Sequence, residues 1–345
     1  MKAAILEGLE KIEVKEVKKP EISKGEILVQ VKSCAICGSD IRIYHYGNPR
    51  VKFPQIIGHE IAGEIVEVGE GITNFKVGNR VAIGADVPCG TCKFCRNGLG
   101  NNCPLNYAIG YQFQGGFAEY ILLNELTVKY GPVHKIPNNL SFNEASLAEP
   151  LACCLNGYEL SSLKPGDTVV IIGAGPIGCM LIELAKNLGA SKIIVSQRSK
   201  ERLSIAKKFS ADVYISSLEE NLVERVMEET EGEGANVVMV ACSSPPAQEE
   251  ALKIVSHRGR VNFFGGLPPG SSKISIDSNL IHYKECFVLG SHGSVPRQHK
   301  IALDFLARGR IKGEKFITHH FALDKIKDAF KVADGHKGLK IIINP

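Results

Sequence analysis

At 345 residues, with 44% hydrophobic and 23% charged side chains, the chain is long enough for two domains and has the composition of an ordinary globular protein. Its net charge of +4 comes without any block of lysine and arginine interleaved with aromatics, which excludes a nucleic-acid groove as an expectation. The opening MKAAILEGLEKIEVKEV carries too many early charges for a signal peptide and no later run reaches the length of a membrane span, so a cytoplasmic protein with no membrane partner is expected.

From residue 1 to about 150, short runs such as EILVQV, EIVEV and RVAIG are broken by Gly, Pro and Asn, and predict a β-rich domain with long loops. The pattern then changes to apolar strand, helix, apolar strand: TVVII, CMLIELAKNLG, KIIVS, KERLSIAKKFS, VYIS. Three more strands are expected in ANVVMVAC, GRVNFFGG and CFVLGS, making a six-stranded, doubly wound parallel sheet in an α/β chain. The tail reads as helix, strand, helix, strand (HKIALDFLARGRI, KFITHHF, LDKIKDAFKVAD, LKIIINP) and is expected to rejoin the first domain. The expected boundaries are 1–153, 154–292 and 293–345.

Eleven cysteines in a chain expected in a reducing compartment point to metal where they cluster. Cys89, Cys92, Cys95 and Cys103 have the spacing CxxCxxCx7C, a complete thiolate set with no vacancy, which predicts a structural zinc. An iron–sulfur or redox cluster is the rival, because thiolate count alone does not choose the metal. A second set is Cys37 in CAICGSD with His59 and Glu60 in IIGHE, the ligand types of a catalytic zinc that keeps one position open. Glu149 in LAEPL falls near the expected domain boundary, where the cleft is expected. The pair Cys34 and Cys37 does not open a helix in a thioredoxin-like pattern, so redox chemistry is not expected there. Cys153, Cys154, Cys179, Cys242 and Cys286 lie in apolar segments and are expected to pack.

In VVIIGAGPIG, Gly173, Gly175, Pro176, Ile177 and Gly178 follow an apolar strand and open a helix. That context predicts a dinucleotide site, with pyrophosphate on the helix N-terminus. An NAD site wants a carboxylate about twenty residues on, at the ribose 2′-hydroxyl. Here stand Gln197, Arg198 and Ser199, with Arg202 one step later, so NADP(H) is expected and NAD(H) is the alternative.

These motifs (CAICGSD, GHEIAGEIVEVGEGITNFKVGNRVAI, the four-cysteine lobe, GGFAEY, EPLACCLNG and VVIIGAGPIG) occur in the order of the zinc-dependent medium-chain dehydrogenase/reductases, and the chain resembles that family over nearly its whole length. GHE combined with AEPL is similar to the sorbitol/polyol dehydrogenase branch. The resemblance implies a GroES-like catalytic domain at both ends of the chain with a Rossmann domain between them. It implies two zinc ions per subunit: a catalytic one at Cys37, His59 and Glu60 with Glu149 as ligand or holder of bound water, and a structural one at the four cysteines. Ser39 matches the hydroxyl that passes the substrate proton on.

The implied reaction is reversible oxidation of a secondary alcohol, a polyol, sugar alcohol or sugar acid, by a homodimer or homotetramer. A simple secondary alcohol or a sugar phosphate is the alternative substrate. A non-catalytic nucleotide- and zinc-binding protein would be expected to lose the Cys37, His59, Glu60 set. Arg42 stands where many relatives carry a relay histidine and cannot act as a base, which leaves Tyr44, His45, or ribose and water. Substrate hydroxyls are expected to meet Arg42, Tyr44, Tyr111 and Gln112, and an anionic substrate would pair with Arg42.

Overall fold

A computed structural model describes residues 1–268 and 270–345. The chain divides into two compact units, Met1–Ala152 with Gly293–Pro345, and Cys153–His292.

The second unit is built on a parallel sheet. Thr168–Ile172 pairs with Lys192–Gln197 on one side and Ala235–Val240 on the other; Val213–Ser216, Val255–Phe263 and Phe287–Gly290 extend it outward. Numbered within the unit, the strand order is 3-2-1-4-5-6, so winding reverses beside Thr168–Ile172, where the strand ends leave a crevice. The continuous apolar run TVVII follows from burial on both faces: Val169, Val170 and Ile171 are fully buried. Helix Pro176–Asn187 turns Gly178 through Ala185 inward and starts on a proline, whose missing N–H costs nothing in a first turn.

The first unit centres on strand Ile27–Ala35. It pairs antiparallel with Glu60–Val68, aligning Ala35 with Glu60, and antiparallel with Lys340–Asn344, aligning Ala35 with Ile342. One residue therefore has the strand that begins at Glu60 on one side and the strand that begins at Lys340 on the other. Below lies a core including Ile27, Val29, Ile61, Ile65, Phe117 and Ile343. The returning chain is tied in where the Ser294 N–H donates to Asp86 Oδ2 at 3.0 Å, and where His299 on helix Pro296–Ala307 packs against Gly84. Among the described residues no helix is long and apolar enough to cross a membrane.

Candidate metal centres and nucleotide cavity

Cys37 ends the bend after Ile27–Ala35 in extended conformation and caps helix Gly38–Tyr46. Its backbone N–H donates to Asp40 Oδ2 at 2.9 Å, the reciprocal half of a capping box, so the helix start fixes where its thiol points. His59 ends the loop that enters Glu60–Val68 and is 4% exposed. One ligand atom each from Cys37, His59 and Glu60 lies within 4.8 Å of the others.

Asp40 sets the histidine. Its Oδ1 is 3.4 Å from His59 Nδ1, both atoms are buried, and neither makes a good hydrogen bond. Such a carboxylate behind an imidazole is the usual outer partner of a metal-bound histidine, leaving Nε2 to face the ligand group. Burial works against charge on His59, and Asp40 and the Cys37 thiol together still raise its pKa well above the ordinary value. Ser39 Oγ lies 3.5 Å from His59 Nε2. The half-buried Tyr111 lies beside Ser39, and its ring centre is 5.9 Å from that of His59.

Glu60 has a cationic partner. Lys340, 2% exposed, places its ammonium against both carboxylate oxygens, at 2.6 Å from Oε2. Glu149, near the start of helix Ala148–Leu160, is 5% exposed; burial lifts its pKa to about 7, against the pull of His59 and with the push of Glu60 and Asp86. The donor set suits zinc: a soft thiolate from Cys37, an imidazole from His59 and the Glu60 carboxylate, packed closely enough to surround one ion.

The four-cysteine lobe also fits a tetrahedral ion. All four sulfurs lie within 4.8 Å of one another, with Cys89–Cys95 at 3.8 Å and Cys92–Cys95 at 3.4 Å. A tetrahedron with metal–sulfur bonds of about 2.3 Å has edges of about 3.8 Å. None is in a disulfide. Backbone N–H groups of Cys89, Thr91, Cys92 and Cys95 point at these sulfurs, as thiolates require. The Thr91 hydroxyl and the N–H groups draw Cys89 down to about 5, while burial and the Cys92 thiol push Cys95 up to about 12.

In the second unit the glycine turn is a cradle. Gly173 has φ of 105°, and a Cβ on Gly178 would sit 1.9 Å from Gly173 O, so helix and turn pack too closely for a side chain. Gly175 caps helix Pro176–Asn187, and Ile177 lies in its first turn. Gln197 Oε1 accepts from the Ala174 N–H at 2.8 Å, tying the second strand's end to the turn. A cavity of about 620 Å³ opens here, lined by Gly173, Gln197, Arg198, Ser217, Asn221 and Ser244 among others. Ser199 caps the next helix, and Arg202 reaches back beneath the turn, Nη1 3.2 Å from the Cβ that Gly175 lacks. Its Nε is buried without a hydrogen-bond partner, a donor left for a phosphate to use. The cavity also holds Glu220, which faces Arg225 at 3.0 Å.

The structure thus brings together Cys37, Ser39, His59, Glu60 and Tyr111, with Glu149 beside them. It does not bring in Tyr44, His45 or Arg42. Tyr44 donates to Glu10 O at 2.8 Å and His45 pairs with Glu10 and Asp334, lining a separate cavity of about 370 Å³. Helical geometry explains it: Tyr44 is five residues past Ser39, about 140° round the helix. Arg42 is exposed. Gln112 is occupied with the Ala108 N–H and Asn106 O of its own loop. Sequence reasoning missed Asp40, Lys340 and Arg50, whose guanidinium lies over the Tyr111 ring. Only Asp40 had a local signal, its capping-box spacing from Cys37.

Comparison with known proteins gives a consistent picture. Residues 23–137 match the alcohol dehydrogenase GroES-like domain and residues 176–308 the zinc-binding dehydrogenase family. The chain is 34% identical to D-arabitol-phosphate dehydrogenase of Enterococcus avium, over 94% of this chain and 91% of that one. It is 37% identical to L-threonine 3-dehydrogenase of Pyrococcus abyssi, over 96% and 94%. Among solved structures it superposes on a zinc-binding dehydrogenase from Sinorhizobium meliloti 1021 bound to NADP, with a TM-score of 0.93, 32% identity and coverage of 100% and 99%.

Proposed function

This chain belongs to the zinc-dependent medium-chain dehydrogenase/reductases, and on that footing we propose that it oxidises a secondary alcohol of polyol, sugar-alcohol or sugar-acid type, reversibly, with NADP(H) preferred over NAD(H). The observation that carries the reading is the convergence of Cys37, His59 and Glu60 beside the Ser39 hydroxyl.

Cys37, His59 and a carboxylate would hold a zinc ion, which would supply Lewis acidity toward a substrate hydroxyl, and a nicotinamide bound at the glycine turn would supply the hydride acceptor. The protein's own share is orientation and proton handling. Asp40 holds the His59 ring, and Lys340 holds Glu60. Ser39 accepts the substrate proton as it gives up its own hydroxyl proton toward solvent, with Tyr111 beside it; Arg42 takes no part. The preference for NADP is supported by the absence of an acid at Gln197 and by the unpaired Nε of Arg202.

A homo-oligomer is part of this reading. Strand Phe287–Gly290 is the outer strand of its sheet, with Phe287 56% and Val288 37% exposed, a strand edge suited to pairing with a second copy.

The test is a panel of sorbitol, a pentitol phosphate, L-threonine and 2-butanol, each with NAD and NADP, using zinc-loaded wild type and Cys37→Ser. Reduction of NADP by a polyol-type substrate, abolished in Cys37→Ser, is the expected result. Turnover of L-threonine alone would move the substrate to amino alcohols, and no hydride transfer to either cofactor would end the reading.

A further inference from the structure

We infer that Arg50 binds an anionic group on the substrate, so that the alcohol taken by this protein carries a phosphate or a carboxylate. The inference rests on the secondary-alcohol reading above and narrows it.

Arg50 lies in the loop between helix Gly38–Tyr46 and strand Glu60–Val68. Its guanidinium carbon is 4.5 Å from the centre of the Tyr111 ring. Tyr111 in turn lies beside Ser39 and against His59. One aromatic ring therefore separates this cation from the group that takes the substrate proton and from a candidate metal ligand. A substrate chain of several carbons, with its reacting hydroxyl at Ser39, reaches past Tyr111 to that guanidinium.

The cation is unspent. Nε and Nη2, the two donors that form a side-on fork for a carboxylate or phosphate, are shielded from water and have no hydrogen-bond partner, and among the described residues no acidic side chain pairs with Arg50. The fold treats other arginines differently. Arg80 donates to the carbonyls of Pro137, Asn138 and Leu140, and Arg260 to those of Ser161 and Ser162 and to Asp167. Arg202 and Arg225 also have a buried Nε without a hydrogen bond; that of Arg225 faces Glu220 at 3.0 Å, and Arg202 lies at the turn where a phosphate-bearing cofactor is expected.

A neutral hydroxyl could accept from one of the two donors and would leave the charge unanswered; an oxyanion answers both donors and the charge. Because the guanidinium is stacked on a ring rather than bonded in place, rotation of its last side-chain torsions presents the fork to a ligand. Arg42, to which the sequence assigned an anionic substrate, is exposed, where water and salt weaken any pairing.

The experiment compares zinc-loaded wild type, Arg50→Met and Arg50→Lys on a pentitol, its terminal phosphate ester and the corresponding aldonate, with thermal midpoints to establish folding. Wild type is expected to favour one of the two anionic substrates over the pentitol by about 30-fold in kcat/KM, the worth of one charge-assisted contact. That ratio collapses in Arg50→Met through KM and returns in part in Arg50→Lys. Which anion is favoured separates phosphate from carboxylate recognition.

Equilibrium binding by calorimetry, with inorganic phosphate and gluconate as probes, is read beside the kinetics. Should no alcohol be oxidised while a probe binds wild type and not Arg50→Met, the secondary-alcohol reading falls and the anion site stands. A wild type that favours the neutral pentitol, or an anion preference that survives in Arg50→Met, overturns the inference and leaves Arg50 as packing for Tyr111.

Discussion

Lys340 and Glu60, separated by 280 residues of sequence, form a buried ion pair in which one ammonium contacts both oxygens of one carboxylate. Neither residue is more than 2% exposed, and both are delivered by strands that flank Ala35. This carboxylate of the candidate metal site thus has its orientation fixed by a protein partner.

Removing the ammonium leaves a buried carboxylate uncompensated. Lys340→Met should lower unfolding free energy by about 3–5 kcal/mol, as breaking a buried pair does. Urea titration of the metal-loaded protein measures it; a loss below about 1 kcal/mol would mean that water or another cation reaches Glu60.

The two metal clusters should separate by phenotype. Cys95→Ala removes a ligand from a closed set and should lower the thermal midpoint and cost one zinc per chain. Cys37→Ser should keep the midpoint nearly unchanged and abolish turnover. Metal analysis with differential scanning calorimetry reads both, and a stable, fully loaded Cys95→Ala protein would contradict the structural assignment.

Cofactor choice should follow Arg202 and Gln197. Arg202→Ala withdraws the donor at the glycine turn and should cut the NADP-to-NAD ratio of kcat/KM about 10-fold. Gln197→Asp should cut it further, since a carboxylate repels a 2′-phosphate. A wild type that favours NAD would remove the basis of both.

His134 and His299 set an acid limit. Their Nδ1 atoms are 3.3 Å apart, so one donates to the other only while at least one ring is neutral. Burial lowers His134 to about 4, with Lys300 adding to it, and lowers His299 well below its usual value. Both groups bind protons more readily when unfolded. Their stabilisation is therefore complete above about pH 6.5 and is lost as pH falls toward 4, on the order of 3 kcal/mol for His134 alone. Denaturation midpoints of wild type and His299→Gln, measured from pH 7 to 4, should converge as pH falls; parallel curves would show that other groups carry the acid sensitivity.

The outer strand should govern assembly. Phe287→Asp with Val288→Lys puts charge on an edge suited to pairing and should shift sedimentation toward the monomer. An unchanged mass would place the interface elsewhere.

What the sequence disclosed and what it hid follow the range of the interactions. The wound sheet was legible because TVVII and GAGPIG are local: burial on both faces makes the strand continuously apolar, and the turn needs glycines at fixed spacing. Cys37, His59 and Glu60 were legible because ligand types cluster in two short loops. Lys340 was not, because it opens an apolar run, LKIIIN, that reads as an ordinary strand, and its partner is fixed only by register through Ala35. Arg50 lies in NPRVKFP, which has no periodicity to say which way a side chain faces. Tyr44 and Arg42 drew notice by chemistry near a motif, and helix phase and exposure turned them elsewhere.

The pairing of Ala35 with strands on both sides also orders events in time. During synthesis Glu60 leaves the ribosome well before Lys340, and the whole nucleotide-binding unit is made in the interval. At 5–20 residues per second that wait is on the order of tens of seconds. Throughout it the nascent candidate metal site carries an unanswered carboxylate and a strand edge still open at Cys34 and Ala35, so the centre of the first unit is finished only after the second unit has been translated.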